Sequence, residues 1–171
     1  MTAKSGRNLA LTGAVGVLIA AYGVYVEHQK KAHPGEYAAL CDSQYFSCSK
    51  VMASEYGSML SHHGLVEKGS SLDLPNALIG VFAYALFALY PVLQAVPFHP
   101  QLYVAASSVA VVATVYLAYI LAFVLKNVCL VCIGSYIVNI LLFWNSLQVL
   151  YDHHVATVRK HKSSAIKKKA N

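Results

Sequence analysis

Between Asp73 and Asp152 the chain carries a single charged residue, Lys126. A soluble fold of 171 residues could not hide that much apolar surface, so the stretch belongs in a bilayer. Within a bilayer the backbone must satisfy its own hydrogen bonds, and runs of this length do so as helices. Composition agrees. The chain is 57% hydrophobic and 12% charged, about half the charged share of a soluble domain. The expected fold class is all-α, a membrane-embedded bundle of four transmembrane helices with a cap loop.

The chain order follows from the apolar runs. Residues 1–8 form a short N-terminus with Lys4 and Arg7, and 9–26 form the first span. That run is longer than the apolar core of a signal peptide and lacks a clear cleavage pattern. Residues 27–73 are the one extended polar region, with Val51 to Leu60 expected as a short interfacial amphipathic helix. Further spans are expected at about 74–98, 101–125 and 128–151, and 152–171 is a basic tail. Pro75 fits a first helical turn and Pro91 a kink, while Pro97-Phe98-His99-Pro100 and Lys126-Asn127 read as tight turns. The tail has six basic residues and one acid, whereas the long loop is net acidic. The positive-inside rule then places both termini in the cytosol and the loop on the opposite face. With four spans, Asn76, the loop cysteines and the start of span four all gather at that opposite face. The basic excess sits mostly in the tail, so it suits a membrane surface and no nucleic-acid platform.

The four cysteines form two pairs. Cys129-Leu130-Val131-Cys132 opens the fourth span. Sulfurs at helical i and i+3 lie close enough to close and reopen a disulfide. Asn127 is expected to cap the helix and place Cys129 in its first turn, where the dipole favours a thiolate and makes it the more reactive sulfur. The same spacing also fits half a zinc site or inert packing. Cys41 and Cys48 are too far apart to bridge on a straight helix, so pairing requires the segment to fold back. They are read as a structural disulfide or as a mobile thiol relay facing the same compartment. Tyr136 lies one turn below Cys132 on the same face. Asn76 sits just inside span two, as a backbone cap or as a ligand contact. Ser135 is expected to bond back to its own helix. His62 and His63 lack carboxylate or cysteine neighbours at metal spacing, so no metal site is expected. Without a phosphate-cradling loop, a Ser-His-Asp set or a dinucleotide fingerprint, the reducing equivalents come from thiols and no tightly bound cofactor is implied.

Together these pieces resemble the vitamin K epoxide reductase family over roughly residues 9–150. The resemblance rests on Leu40-Cys41-Asp42, Cys48-Ser49, Pro75-Asn76 leading to Gly80, and Tyr116-Leu117-Ala118-Tyr119-Ile120-Leu121. Phe123-Val124-Leu125 and Cys129-Leu130-Val131-Cys132-Ile133 with Tyr136 complete it. It implies a four-helix bundle around a quinone pocket, capped by a lumenal loop, in the endoplasmic reticulum membrane. It further implies that Cys132 meets the quinone, that Cys129 resolves it, and that Cys41 and Cys48 relay electrons from a lumenal thioredoxin-like partner. Asn76 and Tyr136 match the residues that hydrogen-bond the quinone oxygens. The implied reactions reduce vitamin K epoxide to quinone and quinone to hydroquinone. The chain departs from the family in a Cys41–Cys48 interval one residue shorter than in vertebrate members, and in Met52, Tyr56 and Ser61-His62-His63 of the loop. Those changes bear on the cap and on inhibitor sensitivity more than on the chemistry. Lys168 and Lys169 are similar to a di-lysine retrieval signal. Two other readings stay open: a quinone-linked oxidase that forms disulfides with the same cysteines, and a non-enzymatic four-span scaffold with structural loop disulfides.

Overall fold

The structure is a computed structural model that describes residues 3–33, 35–67, 70, 72–96 and 98–170, with only the backbone of 3, 165 and 167–170. Among them every regular element is helical and there is no strand. The long helices are α1 (Ala3–Ala32), α6 (His99–Tyr119) and α7 (Leu130–Ala170). Between α1 and α6 come the short loop helices α2 (Cys48–Met52) and α3 (Met59–His62), then α4 (Asn76–Ala88) and α5 (Tyr90–Leu93).

Three stretches are long and apolar enough to cross a membrane: Lys4–Ala32, His99–Val124 and Leu130–Ser164. Their outer faces are apolar too. Leu18, Val109, Val112 and Trp144 are each more than 60% exposed. A body apolar both inside and outside has lipid as its matching solvent. The second expected span differs. The helix stops at Leu89 and resumes as α5 with Pro91 near its start. Proline lacks the N–H that would continue the ladder, which breaks the run where a kink was expected. By itself α4 rises only about 20 Å, less than the hydrocarbon thickness.

Helix α1 packs against both α4 and α7, and α7 also packs against α6. Gly16 makes the α1–α4 approach possible: a Cβ there would lie 2.6 Å from the Tyr84 ring. Helices α4 and α6 meet near one end. There Tyr103 Oη donates to Leu86 O at 2.8 Å, and the Phe87 and Tyr103 rings stand 5.3 Å apart. At the same end Ser5 Oγ donates to Asp152 Oδ2 at 2.7 Å, tying the start of α1 to α7. The polar loop packs over the opposite end, where Ser47 N donates to Val128 O at 2.9 Å.

Several local expectations are corrected. His99 and Pro100 lie inside α6 and not in a turn; the reversal falls at Phe98, whose φ is 62°. The Val51–Leu60 stretch is three short pieces and not one helix: the end of α2, a 3-10 turn at Glu55–Gly57 and the start of α3. Pro75 precedes α4 as its N-cap, where its fixed φ suits the entry. Ile120–Val124 winds as a π-turn at the end of α6. The basic tail continues α7 to Ala170, and the side chains of Lys168 and Lys169 lie outside those described.

Candidate functional site

Cys41 and Cys48 form a disulfide with Cα atoms 6.0 Å apart. The intervening segment folds back as that distance requires. The Asp42 carboxylate holds the fold: Oδ2 accepts Ala39 N–H at 2.9 Å, and Oδ1 accepts Ser49 N–H at 3.0 Å. It thus bridges the residues flanking the two cysteines and caps the first turn of α2. Partial burial pushes the Asp42 carboxyl up, but hydrogen bonds from Ser49, Ala39 and Cys48 outweigh this and hold it below its ordinary range.

The Cys-x-x-Cys pair is free of disulfide, and its geometry is asymmetric. Asn127 does not cap the helix; its side-chain amide donates to Leu125 O at 2.7 Å. Cys129 takes the capping position itself. Its carbonyl accepts Ile133 N–H at 3.0 Å, and its Sγ accepts Cys132 N–H at 3.3 Å. Cys132 Sγ lies 2.7 Å from Cys129 Sγ, as a thiol donating to its neighbour. Cys129 is fully buried, in one apolar cluster with Cys48, Ala39 and Val26. Cys132 is partly exposed and lines a cavity that Cys129 does not reach. Cys41, Cys132 and Tyr136 pack on the rim of the same cluster, so both cysteine pairs belong to one packed region.

The cavity has a volume of about 660 Å³. Its walls come from α4 and α6, with Cys132, Ser135, Tyr136 and Asn139 of α7 at one end and Met52 and Tyr56 of the loop above them. The lining is almost wholly apolar, with few polar groups, as a site for a greasy ligand requires. Tyr136 faces it, and among the described residues its hydroxyl has no hydrogen-bond partner. Asn76 also lines it, yet both ends of its amide engage the loop backbone. Nδ2 donates to Tyr56 O at 2.7 Å, and Oδ1 accepts Met59 N–H at 3.0 Å. Ser135 bonds back to Val131 O at 3.0 Å. His62 packs against Tyr56 with the rings tilted and their centroids 4.4 Å apart, and His63 Nε2 lies 3.1 Å from Tyr116 Oη, fastening the loop to α6.

A polar chain below Tyr136 escaped the sequence reading. Tyr84 Oη donates to Asn139 Oδ1 at 2.9 Å, and Asn139 Nδ2 donates to Thr114 Oγ1 at 2.8 Å, joining α4, α7 and α6 along the cavity wall. An asparagine in mid-span, three residues after Tyr136, was the available signal. Nothing in the sequence marks Tyr84 or Thr114.

The family model described as "Vitamin K epoxide reductase family" matches residues 8–147. The chain belongs to the vitamin K epoxide reductase family. It is similar to "Vitamin K epoxide reductase complex subunit 1" of Mus musculus, 36% identical over 143 residues, covering 81% of this chain and 86% of the mouse protein. The rat protein of the same name, from Rattus norvegicus, is 34% identical over 145 residues, covering 82% and 87%. As a vitamin K epoxide reductase family member the chain is a membrane oxidoreductase, and the scaffold reading falls away.

Proposed function

We propose that the chain reduces vitamin K epoxide to the quinone, and the quinone to the hydroquinone, with electrons from its own thiols. The carrying observation is the division between Cys132, on the cavity wall, and Cys129, buried behind it beside the loop disulfide. In the first reaction two thiols and the epoxide become a disulfide, a quinone and water. In the second, two thiols and the quinone become a disulfide and a hydroquinone. Cys132 bonds to or stacks on the ring, and Cys129, 2.7 Å away, displaces it by closing the Cys129–Cys132 disulfide. The apolar cavity takes the ring and its isoprenoid tail. Tyr136 donates to one ring oxygen. The second N–H of Asn76, left over by its bond to Tyr56, serves the other.

In this reading the loop pair recharges the centre. A lumenal thioredoxin-like protein reduces Cys41, and Cys48 passes the electrons to Cys129. The membrane arrangement in this reading has four spans, the second made of α4 continued through α5. Both termini are in the cytosol and the loop is in the lumen of the endoplasmic reticulum, with Lys168 and Lys169 serving retrieval.

Purified protein in detergent, driven by a small membrane-permeant dithiol, tests the reading. Cys129→Ala and Cys132→Ala should lose nearly all turnover of quinone and epoxide. Cys41→Ala and Cys48→Ala should keep much of theirs, because the dithiol bypasses the relay. Equal loss in all four would make the loop pair part of the catalytic centre and overturn the relay.

A further inference from the structure

We propose that the loop pair, once reduced, forms a metal site with Asp42 that takes one zinc-type divalent ion and holds the relay in an off state. Sγ of Cys41, Sγ of Cys48 and a carboxylate oxygen of Asp42 all lie within 4.8 Å of one another. A tetrahedral zinc ion bound by sulfur and oxygen needs its ligands about 3.5–3.8 Å apart, so modest side-chain movement closes the set. Opening the disulfide moves the sulfurs apart in the required sense and turns two inert atoms into thiolate ligands.

The carboxylate is already oriented for this. Its oxygens accept backbone N–H groups, from Ala39 at 2.9 Å and Ser49 at 3.0 Å, which fix the carboxylate beside the two sulfurs. Ligating carboxylates are commonly hydrogen-bonded in this way, which lowers the ordering cost of binding. Two thiolates select a soft or borderline ion over calcium or magnesium. Three protein ligands leave the fourth position to water.

Binding moves no electrons. The two thiols lose two protons to solvent and gain two metal–sulfur bonds. Both relay sulfurs are then capped, so neither can attack a disulfide until the ion leaves. The off state rests on the relay reading, whereas the ion site requires only that the pair can open, and a chemical reductant opens it without any partner.

The test uses full-length protein in detergent with Cys129→Ser and Cys132→Ser installed, so that the loop pair supplies the only thiols. The protein is reduced with a phosphine, freed of it anaerobically and titrated with Cd2+, read by sulfur-to-cadmium charge-transfer absorption. One equivalent per chain should bind, Zn2+ should displace it, and the unreduced protein should bind none. Cys41→Ser or Cys48→Ser should abolish the signal, and Asp42→Asn should weaken binding about tenfold or more. Asp42→Glu, which keeps a carboxylate, should bind more tightly than Asp42→Asn, so the comparison stands even if both variants loosen the loop. Absence of saturable binding in the reduced protein, or equal affinity with and without the carboxylate, overturns the site. The relay reading is decided separately, by the turnover of the loop-cysteine variants.

Discussion

Asn76→Ala should unfasten the loop as well as weaken substrate reduction. The Asn76 amide makes two hydrogen bonds to the loop backbone, at 2.7 Å to Tyr56 O and 3.0 Å to Met59 N–H. Each partner is partly exposed, so water recovers part of the loss and about 1 kcal/mol per bond is the appropriate scale. Two bonds give about 2 kcal/mol, or roughly thirtyfold in the equilibrium for local opening of this segment. The first assay is amide hydrogen exchange at Gly57 and Met59. Their exchange should quicken roughly thirtyfold, while amides in the middle of α7 stay unchanged. The second is turnover at saturating quinone, which should fall at least about tenfold because a donor to a ring oxygen is also removed. Lost turnover with unchanged exchange would make Asn76 purely a substrate contact and refute the loop argument. Fast exchange with full turnover would make it purely a strut and refute the quinone contact.

Other outcomes follow from the same geometry. Tyr136→Phe should lower turnover at least about tenfold, the scale for losing one preorganised donor to a developing oxyanion. It should leave the Cys129–Cys132 pair able to oxidise and reduce, as read by thiol labelling; full turnover would remove Tyr136 from the site. The Asp42 carboxyl is held below its ordinary range, so its contribution to loop stability is complete above the unfolded carboxyl value of about 4 and is lost as pH falls through the lower folded value. Protection of the Ser49 and Ala39 amides should therefore stay flat from neutral pH to about 5 and fall only in more acid solution, a change that Asp42→Asn should abolish. A glycosylation acceptor inserted near Ser61 should be modified in microsomes and one in the 152–171 tail should not; modification of the tail would invert the membrane arrangement.

The two cysteine pairs were legible in the sequence, but the packing around each sulfur was not. A Cys-x-x-Cys at the head of an apolar run announces a dithiol, because i and i+3 are neighbours on any helix. Which sulfur reaches the cavity depends on what packs around the helix. Val26 of α1 and Ala39 and Cys48 of the loop cover Cys129, leaving Cys132 to the cavity. Asn127 shows the limit of local signals. It is a good capping residue at the right distance, yet the chain turns at Lys126, with φ 49°, and Cys129 becomes the cap.

The sequence by itself determined that the chain is helical and lipid-facing, because a long uncharged run admits few other solutions. It determined the two cysteine pairs and the place of Tyr136 relative to Cys132, since both follow from spacing along one helix. Only the tertiary structure decided that Cys41 bonds to Cys48, because that depends on Asp42 reaching backbone amides on both sides of the turn. Only it decided the cavity between α4 and α6 and the Tyr84–Asn139–Thr114 chain that lines it. Those features join residues 25 to 55 positions apart in the chain. Periodicity within one helix carries no information about which face of another helix it meets.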